Sequence, residues 1–230
     1  MSTHTTQYDG AAAGWWTSQR VRAAGLAAIA GGTLLFAYFT ITTVLELLGF
    51  LTLHGTDPVD GVGTSWYYAS EGSLLIAWTL VFVGFAALHV RLSGAGGRLL
   101  RAGTLLAAIG SGMAAVGFLF ATAAPAVGAI GIVTPANIGI GLGLMVGINL
   151  GTFLMGIALL RASIVSRPFA ALLIAVLPAT LLAGPVGFAL GVGLIASMIA
   201  ILPLCAAIVL VGHYLRTETP EVVPPTAAPA

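Results

Sequence analysis

The sequence predicts an all-α polytopic membrane protein, a bundle of about six transmembrane helices with both ends in the cytoplasm. Hydrophobic residues make up 59% of the chain and charged residues only 7%, with a mean hydropathy of +1.08. A soluble domain carries about 25% charged residues. The apolar residues also fall in long runs, and about 20 of them in an α-helix cross about 30 Å of hydrocarbon. So few charges cannot form the surface of a water-soluble protein.

Six apolar runs define the predicted spans. The first four are separated by polar or basic residues and cover residues 23–53, 66–90, 99–121 and 138–160. The remaining stretch is about twice the length of one span and divides into residues 168–184 and 188–215. We predict the turn at Gly184 and Pro185, because proline lacks an amide donor and glycine permits a reversal. A turn nearer Gly191 and Gly193 is the competing placement.

The basic residues predict the orientation. All eight are arginines, and in a six-span arrangement they lie on one side: Arg20, Arg22, Arg91, Arg98, Arg101, Arg161, Arg167 and Arg216. Basic residues near span ends are retained in the cytoplasm. We therefore predict a multi-pass cell-membrane protein with residues 1–22 as a cytoplasmic N-terminal segment. Residues 216–230, rich in proline and alanine, form a disordered cytoplasmic tail.

The sequence gives no sign of a cofactor, a metal or a nucleic-acid partner. It contains no basic run interleaved with aromatic residues. Its single cysteine, Cys205, excludes an intrachain disulfide and a cysteine-based metal cluster. No hydrolase triad, metal-binding helix motif or P-loop is present, so the sequence favours no enzyme. The expected surroundings are the lipid bilayer, with a homo-oligomer or a partner in a membrane complex left open.

Glu46 is the leading candidate for function. It lies well inside the first predicted span, where an ionisable group costs about 2.5 to 3.5 kcal/mol. Thr42 and Thr43 precede it by four and three residues and share its face of the helix. This polar stripe should face the bundle interior, where Glu46 can bind a proton, a cation or a hydrogen-bonding substrate. The structural alternative is a protonated or hydrogen-bonded Glu46 that locks two helices together.

Glu71 is a second carboxyl, early in the second predicted span and close to Tyr67, Tyr68 and Ser73. If the first two helices form an antiparallel hairpin, Glu46 and Glu71 can share an outward-facing vestibule with His54, Asp57 and Asp60. They can then share a proton, because like charges at short range disfavour double ionisation. The sequence favours a plainer interpretation, in which Glu71 only reaches the headgroup region.

The fourth predicted span carries the densest glycine pattern. Gly143, Gly147 and Gly151 repeat every four residues, so another helix can approach closely along that face. Asn149 lies near the middle of the same span and, at about 100° per residue, points away from the glycines. It can line a path with Glu46 or hydrogen-bond to a neighbouring helix.

His89 and His213 fall at the ends of the second and sixth spans. Two such histidines can in principle ligate one haem. Histidine at a helix C-terminus is also favourable for the helix dipole, and this is the interpretation that the sequence favours.

Three functions stay open at this point. The leading one is a transporter-like protein for a small solute or ion, with a polar site around Glu46. The second is an accessory or scaffold subunit of a larger membrane complex, suggested by short loops and glycine-rich faces. The third is a membrane enzyme that acts on lipid or quinone, which rests on the two carboxyls and the two histidines. Function is decided by sites rather than by fold, so the structure of these residues is needed.

Overall fold

A computed structural model describes residues 16–48, 64–92, 97–190 and 193–217, with the backbone alone for residues 46, 184, 186–190 and 193–197. These residues are almost entirely helical and include no strand, as the sequence predicts. The α-helices are α1 (Ser18–Leu47), α2 (Ser65–Leu92), α3 (Arg98–Ala126), α4 (Val133–Leu142), α5 (Gly151–Ala162), α6 (Arg167–Leu190) and α7 (Gly193–Thr217). Five helical stretches are long and apolar enough to cross a membrane.

The fourth of these stretches, Ile130–Ala162, is one continuous rod with three parts. A 3-10 turn leads into α4, and a π-helical segment, Gly143–Leu150, joins α4 to α5. The junction residues keep right-handed helical dihedral angles, with φ −58° and ψ −44° at Gly143 and φ −69° and ψ −39° at Leu150. The rod therefore crosses the bundle without a break, and we call it the fourth rod.

The helices form a closed ring. Each packs on the helix before it and the helix after it, and α1 closes the ring by packing along α7. Close contacts between α1 and α7 at Gly25 and Gly212, and between α1 and α2 at Ala28 and Gly84, lie near the start of α1. Neighbouring helices are antiparallel, so all the described arginines gather at this end of the ring, which we call the arginine end. The other end, where α2 begins, is the Tyr67 end.

The ring carries apolar side chains on both of its faces. Inside it, Trp78 and Phe85 of α2 are completely buried. Outside it, long apolar side chains are half exposed, for example Leu26, Ile76 and Ile109. A water-soluble monomer rarely exposes large apolar patches. This distribution is the one that a bundle surrounded by lipid requires.

Glycines set the closest approach in the ring, between α3 and the fourth rod. A Cβ added at Gly147 would overlap the Cα of Gly110, and one added at Gly143 would lie 2.7 Å from the Gly110 carbonyl oxygen. At Gly151 it would lie 2.6 Å from the backbone nitrogen of Ala107. The three glycines that the sequence singles out therefore lie against the backbone of α3, which only residues without a side chain permit.

The structure differs from the preferred sequence interpretation at the end of α6. The helix continues through Gly184 and Pro185 to Leu190, and α7 begins at Gly193, near the competing turn position. A proline inside a membrane helix removes one backbone hydrogen bond, but local adjustments and neighbouring helices compensate for it. Proline alone was therefore a poor marker of this turn.

Gly147→Ala should destabilise the protein, whereas Gly141→Ala should not. The first adds a methyl group against the α3 backbone, and such overpacking costs about 1 to 3 kcal/mol. The second lies on the exposed side of the same rod, where an added Cβ meets nothing within 4 Å. Thermal unfolding of both variants in detergent, followed by tryptophan fluorescence, measures the difference. Equal unfolding temperatures would contradict the close packing.

Candidate functional site

Glu71 is the most unusual polar residue in the described part of the bundle. It lies on α2, one turn after Tyr67, and its oxygen Oε2 is buried with no hydrogen-bond partner among the described residues. A buried carboxylate oxygen without a partner disfavours the ionised group, and a proton or a nearby cation relieves that cost. One Glu71 oxygen is thus buried within the protein. The placement of Glu71 at the headgroup level, which the sequence favours, stays a prediction.

Hydroxyl groups surround Glu71, but most of them are already committed to backbone carbonyls. The Tyr67 hydroxyl donates to the Ala121 carbonyl oxygen at 2.8 Å. The Ser70 hydroxyl donates to the Tyr67 carbonyl oxygen at 3.1 Å. Tyr38 of α1 faces Ser70 and lies near Glu71. The site thus combines an unpaired acceptor oxygen with donors that are directed elsewhere.

The bond from Tyr67 to Ala121 has a specific cause in α3. Pro125 lies inside that helix, four residues after Ala121, and proline has no amide hydrogen to donate. The Ala121 carbonyl therefore lacks the helical partner that it would otherwise have, and the Tyr67 hydroxyl supplies a donor at 2.8 Å. This bond fixes the start of α2 against the end of α3, one turn from Glu71.

A crevice of about 250 Å³ lies between α1 and α2 beside this group. Its lining includes Ala37, Tyr38 and Thr42 of α1 and Trp66, Ser70 and Ser73 of α2. Ile41 and Trp66, which also line it, are 55% and 41% exposed, so the crevice opens on the outer surface of the ring. Tyr38 and Ser70 thus belong both to the crevice and to the surroundings of Glu71.

Glu46 lies in the last turn of α1, but its side chain is outside the described part of the structure, as are His54, Asp57 and Asp60. Thr42 is buried, and its hydroxyl donates to the carbonyl oxygens of Tyr38 and Phe39, at 2.9 and 3.2 Å. The predicted stripe of Thr42, Thr43 and Glu46 is therefore described only in part. The Thr42 hydroxyl therefore donates its hydrogen bond within α1 and not to a neighbouring helix.

Asn149 lies in the π-helical segment and is only 4% exposed. Its side-chain nitrogen Nδ2 donates to the Met145 sulfur at 3.6 Å, and its backbone carbonyl oxygen accepts from the Thr152 hydroxyl at 3.1 Å. Among the described residues, α1 packs against α2 and α7 and not against the fourth rod. The structure therefore does not bring Asn149 together with the helix that carries Glu46.

The two histidines lie at the arginine end, away from Glu71. The His89 nitrogen Nδ1 is 2.8 Å from the Thr104 hydroxyl, which links α2 to α3, whereas His213 is exposed on α7. Where side chains are described, no three His, Cys, Asp or Glu residues form a group that could hold a metal ion. The residues behind the enzyme hypothesis, the carboxyls and the histidines, are thus not assembled at one place.

Sequence reasoning missed Tyr38 and the pairing of Tyr67 with Pro125. Tyr38 lies four residues before Thr42 and so on the same face of α1, a spacing that would have extended the polar stripe toward α2. The Tyr67 bond carries no local sequence signal, because its partner lies 54 residues away.

Comparisons with protein families, with curated proteins and with solved structures found no match to this chain. The functional argument therefore rests on the residues themselves.

Tyr67→Phe should lower stability by about 0.5 to 1.5 kcal/mol, the usual net contribution of one hydrogen bond. Its neighbour Tyr68→Phe is the control, because no hydrogen bond of the Tyr68 hydroxyl occurs among the described residues. Pro125→Ala restores an amide donor for Ala121, so Tyr67→Phe should cost less in that background. A double-mutant cycle by thermal unfolding in detergent measures the coupling. Equal costs of Tyr67→Phe in both backgrounds would refute the link to Pro125.

Proposed function

We propose that this chain is a small transporter-like membrane protein that binds a proton or cation at Glu71 while it moves a small solute or ion. The observation that carries the proposal is the buried Glu71 oxygen Oε2, which has no partner among the described residues. An acceptor oxygen of this kind can bind a proton in one state of the protein and a cation in another. Ionisable groups inside membrane spans commonly mark ion and substrate pathways or proton relays.

The proposal moves the centre of the site from Glu46 toward Glu71. Glu46 stays within it as a second carboxyl, because α1 and α2 are neighbours and both residues belong to the Tyr67 end. Thr42, Tyr38 and Ser70 lie between the two helices at this level. Asn149 is assigned a packing role, since its helix does not adjoin α1 in the described part of the ring.

The proposed topology has six spans with both ends in the cytoplasm of the cell membrane. Helix α6, the fifth span in chain order, completes the set of six, because its 24 residues rise about 36 Å at 1.5 Å per residue, enough to cross the hydrocarbon. The gathering of arginines at one end supports placing that end inside. The Tyr67 end and Glu71 then face outward.

An accessory role in a larger complex is the second candidate. It is favoured by an apolar groove of about 540 Å³ between α3 and the fourth rod, lined in part by Gly112, Val116 and Gly139. Grooves floored by glycine suit a partner helix. This role leaves the buried carboxyl of Glu71 without a purpose, and so we rank it second.

Single cysteines test the topology. In a Cys205→Ala background, Asp60→Cys should react with a membrane-impermeant maleimide in intact cells. Pro225→Cys should react only after the membrane is permeabilised, because the arginine side is retained in the cytoplasm. Labelling is read by mass spectrometry or gel shift. The reverse pattern would invert the proposed orientation. Six spans place residues 60 and 225 on opposite sides of the membrane, so labelling of both positions in intact cells would contradict the six-span topology.

Dicyclohexylcarbodiimide, which modifies carboxyl groups in apolar surroundings, tests the role of Glu71. We expect it to modify Glu71 in the purified wild-type protein and in Glu46→Gln, and to leave position 71 unmodified in Glu71→Gln. Alkaline pH, Na⁺ or K⁺ should slow the reaction, because an ionised or cation-bound carboxylate reacts poorly. The modified site is mapped by peptide mass spectrometry. A Glu71 that does not react, or whose rate ignores both pH and cations, would contradict proton or cation binding there.

A further inference from the structure

Helix α2, which carries Glu71, and its neighbour α1 are in close contact at one end and apart at the other. Toward the arginine end, a Cβ added at Gly84 would lie 2.5 Å from the Ala28 Cβ, and one at Gly31 would lie 2.8 Å from the Ala77 carbonyl oxygen. Toward the Tyr67 end, the same helices leave the 250 Å³ crevice between them. The crevice is therefore a wedge that closes on glycines and opens sideways, past Ile41 and Trp66.

The walls of this wedge are chemically selective. They are almost entirely apolar, and they include two aromatic rings, Tyr38 and Trp66. The hydroxyl of Thr42 and that of Ser73 are turned away to carbonyl oxygens of their own helices. A strongly hydrogen-bonding solute would thus find few free donors, whereas a ligand with an apolar body fits the surface.

A carboxyl group, that of Glu71, lies next in sequence to the Ser70 of these walls. Consecutive residues of an α-helix point about 100° apart, so Ser70 lines the wedge while Glu71 turns toward the interior of the ring. Tyr38, which also lines the wedge, lies near Glu71. Within the described residues, no basic side chain lies at this end of the ring to neutralise the carboxylate.

We propose that the wedge between α1 and α2 binds a small lipophilic ammonium compound that enters sideways from the membrane. This inference rests on the proposed function and names the class of its solute. Aromatic faces attract ammonium groups, above all where water is excluded. The ionised Glu71 adds a Coulombic attraction, and one proton leaves Glu71 for each ammonium that binds. The substrate and the proton thus compete for one carboxylate, which couples their movements.

Two isosteric compounds test this proposal. Benzyltrimethylammonium and its uncharged carbon analogue, neopentylbenzene, have nearly the same shape and differ in charge. Equilibrium dialysis against the protein in nanodiscs should show saturable binding of the ammonium and at least about tenfold weaker binding of the analogue. Glu71→Gln should weaken ammonium binding by about tenfold or more and abolish proton release, measured with a pH indicator in weak buffer.

Filling the wedge tests its location while leaving Glu71 in place. Ala37→Phe should abolish ammonium binding, whereas Ala171→Phe, the same change at an exposed position of α6, should leave it unchanged. If Ala37→Phe does not fold, Trp66→Leu is tested in its place. This variant removes the aromatic face, so we expect it to lose ammonium binding and to bind the uncharged analogue as the wild type does.

The outcomes separate this inference from the proposed function. If pH or Na⁺ controls the carbodiimide reaction of Glu71 but the ammonium fails to bind, or binds equally to Ala37→Phe, the wedge is not the site and the proton or cation role stands. Equal binding of the neutral analogue would show an apolar groove for lipid chains and would overturn the ammonium site. If the reaction ignores pH and every cation, the proposed function and this inference fall together.

Discussion

Backbone hydrogen bonding without water is the constraint on which this structure depends. In hydrocarbon, each peptide group must find its partner within the protein, and the α-helix satisfies this demand within a single segment. Each proline inside a helix breaks the rule at one point, because it has no amide hydrogen to donate. In α3 the break at Pro125 frees the Ala121 carbonyl, and Tyr67 of the neighbouring helix satisfies it. A defect in one helix thus becomes the contact that fixes the next.

Most polar side chains in the described bundle also find a hydrogen-bond partner within the protein. Their hydroxyls donate to carbonyl oxygens about one turn earlier in their own helix, as at Thr40, Thr42, Thr79, Thr104, Ser111, Thr122, Thr152, Thr180 and Thr217. Such bonds hide a hydroxyl and join no helices. Glu71 stands apart from this pattern because its oxygen Oε2 has no such bond within the described residues. A buried acceptor oxygen that lacks such a bond is a stronger sign of function than polarity alone.

The sequence was sufficient for the all-helical fold with several apolar helices long enough to cross a membrane, because hydrophobic run length is a direct consequence of bilayer thickness. It also identified Gly143, Gly147 and Gly151, since small residues at regular spacing mark close packing. It could not place Asn149, because the rotation of about 100° per residue does not hold through a π-helical segment, and glycine-rich sequence does not reveal one. Tyr38 lies near Glu71 but belongs to another helix, and no spacing within α2 encodes that proximity.

The π-helical segment also determines which side of the following helix, α5, faces its neighbours. Upstream of it, the fourth rod faces α3 through Gly143; downstream, Gly156 meets the Ala170 carbonyl oxygen of α6. Loss of one residue between these points would turn the downstream half by about 100° relative to the upstream half. The glycine that now admits α6 would then face away from it, and a bulkier side chain would take its place. The length of Gly143–Leu150 is therefore as much a part of the specification of this ring as the identity of its residues.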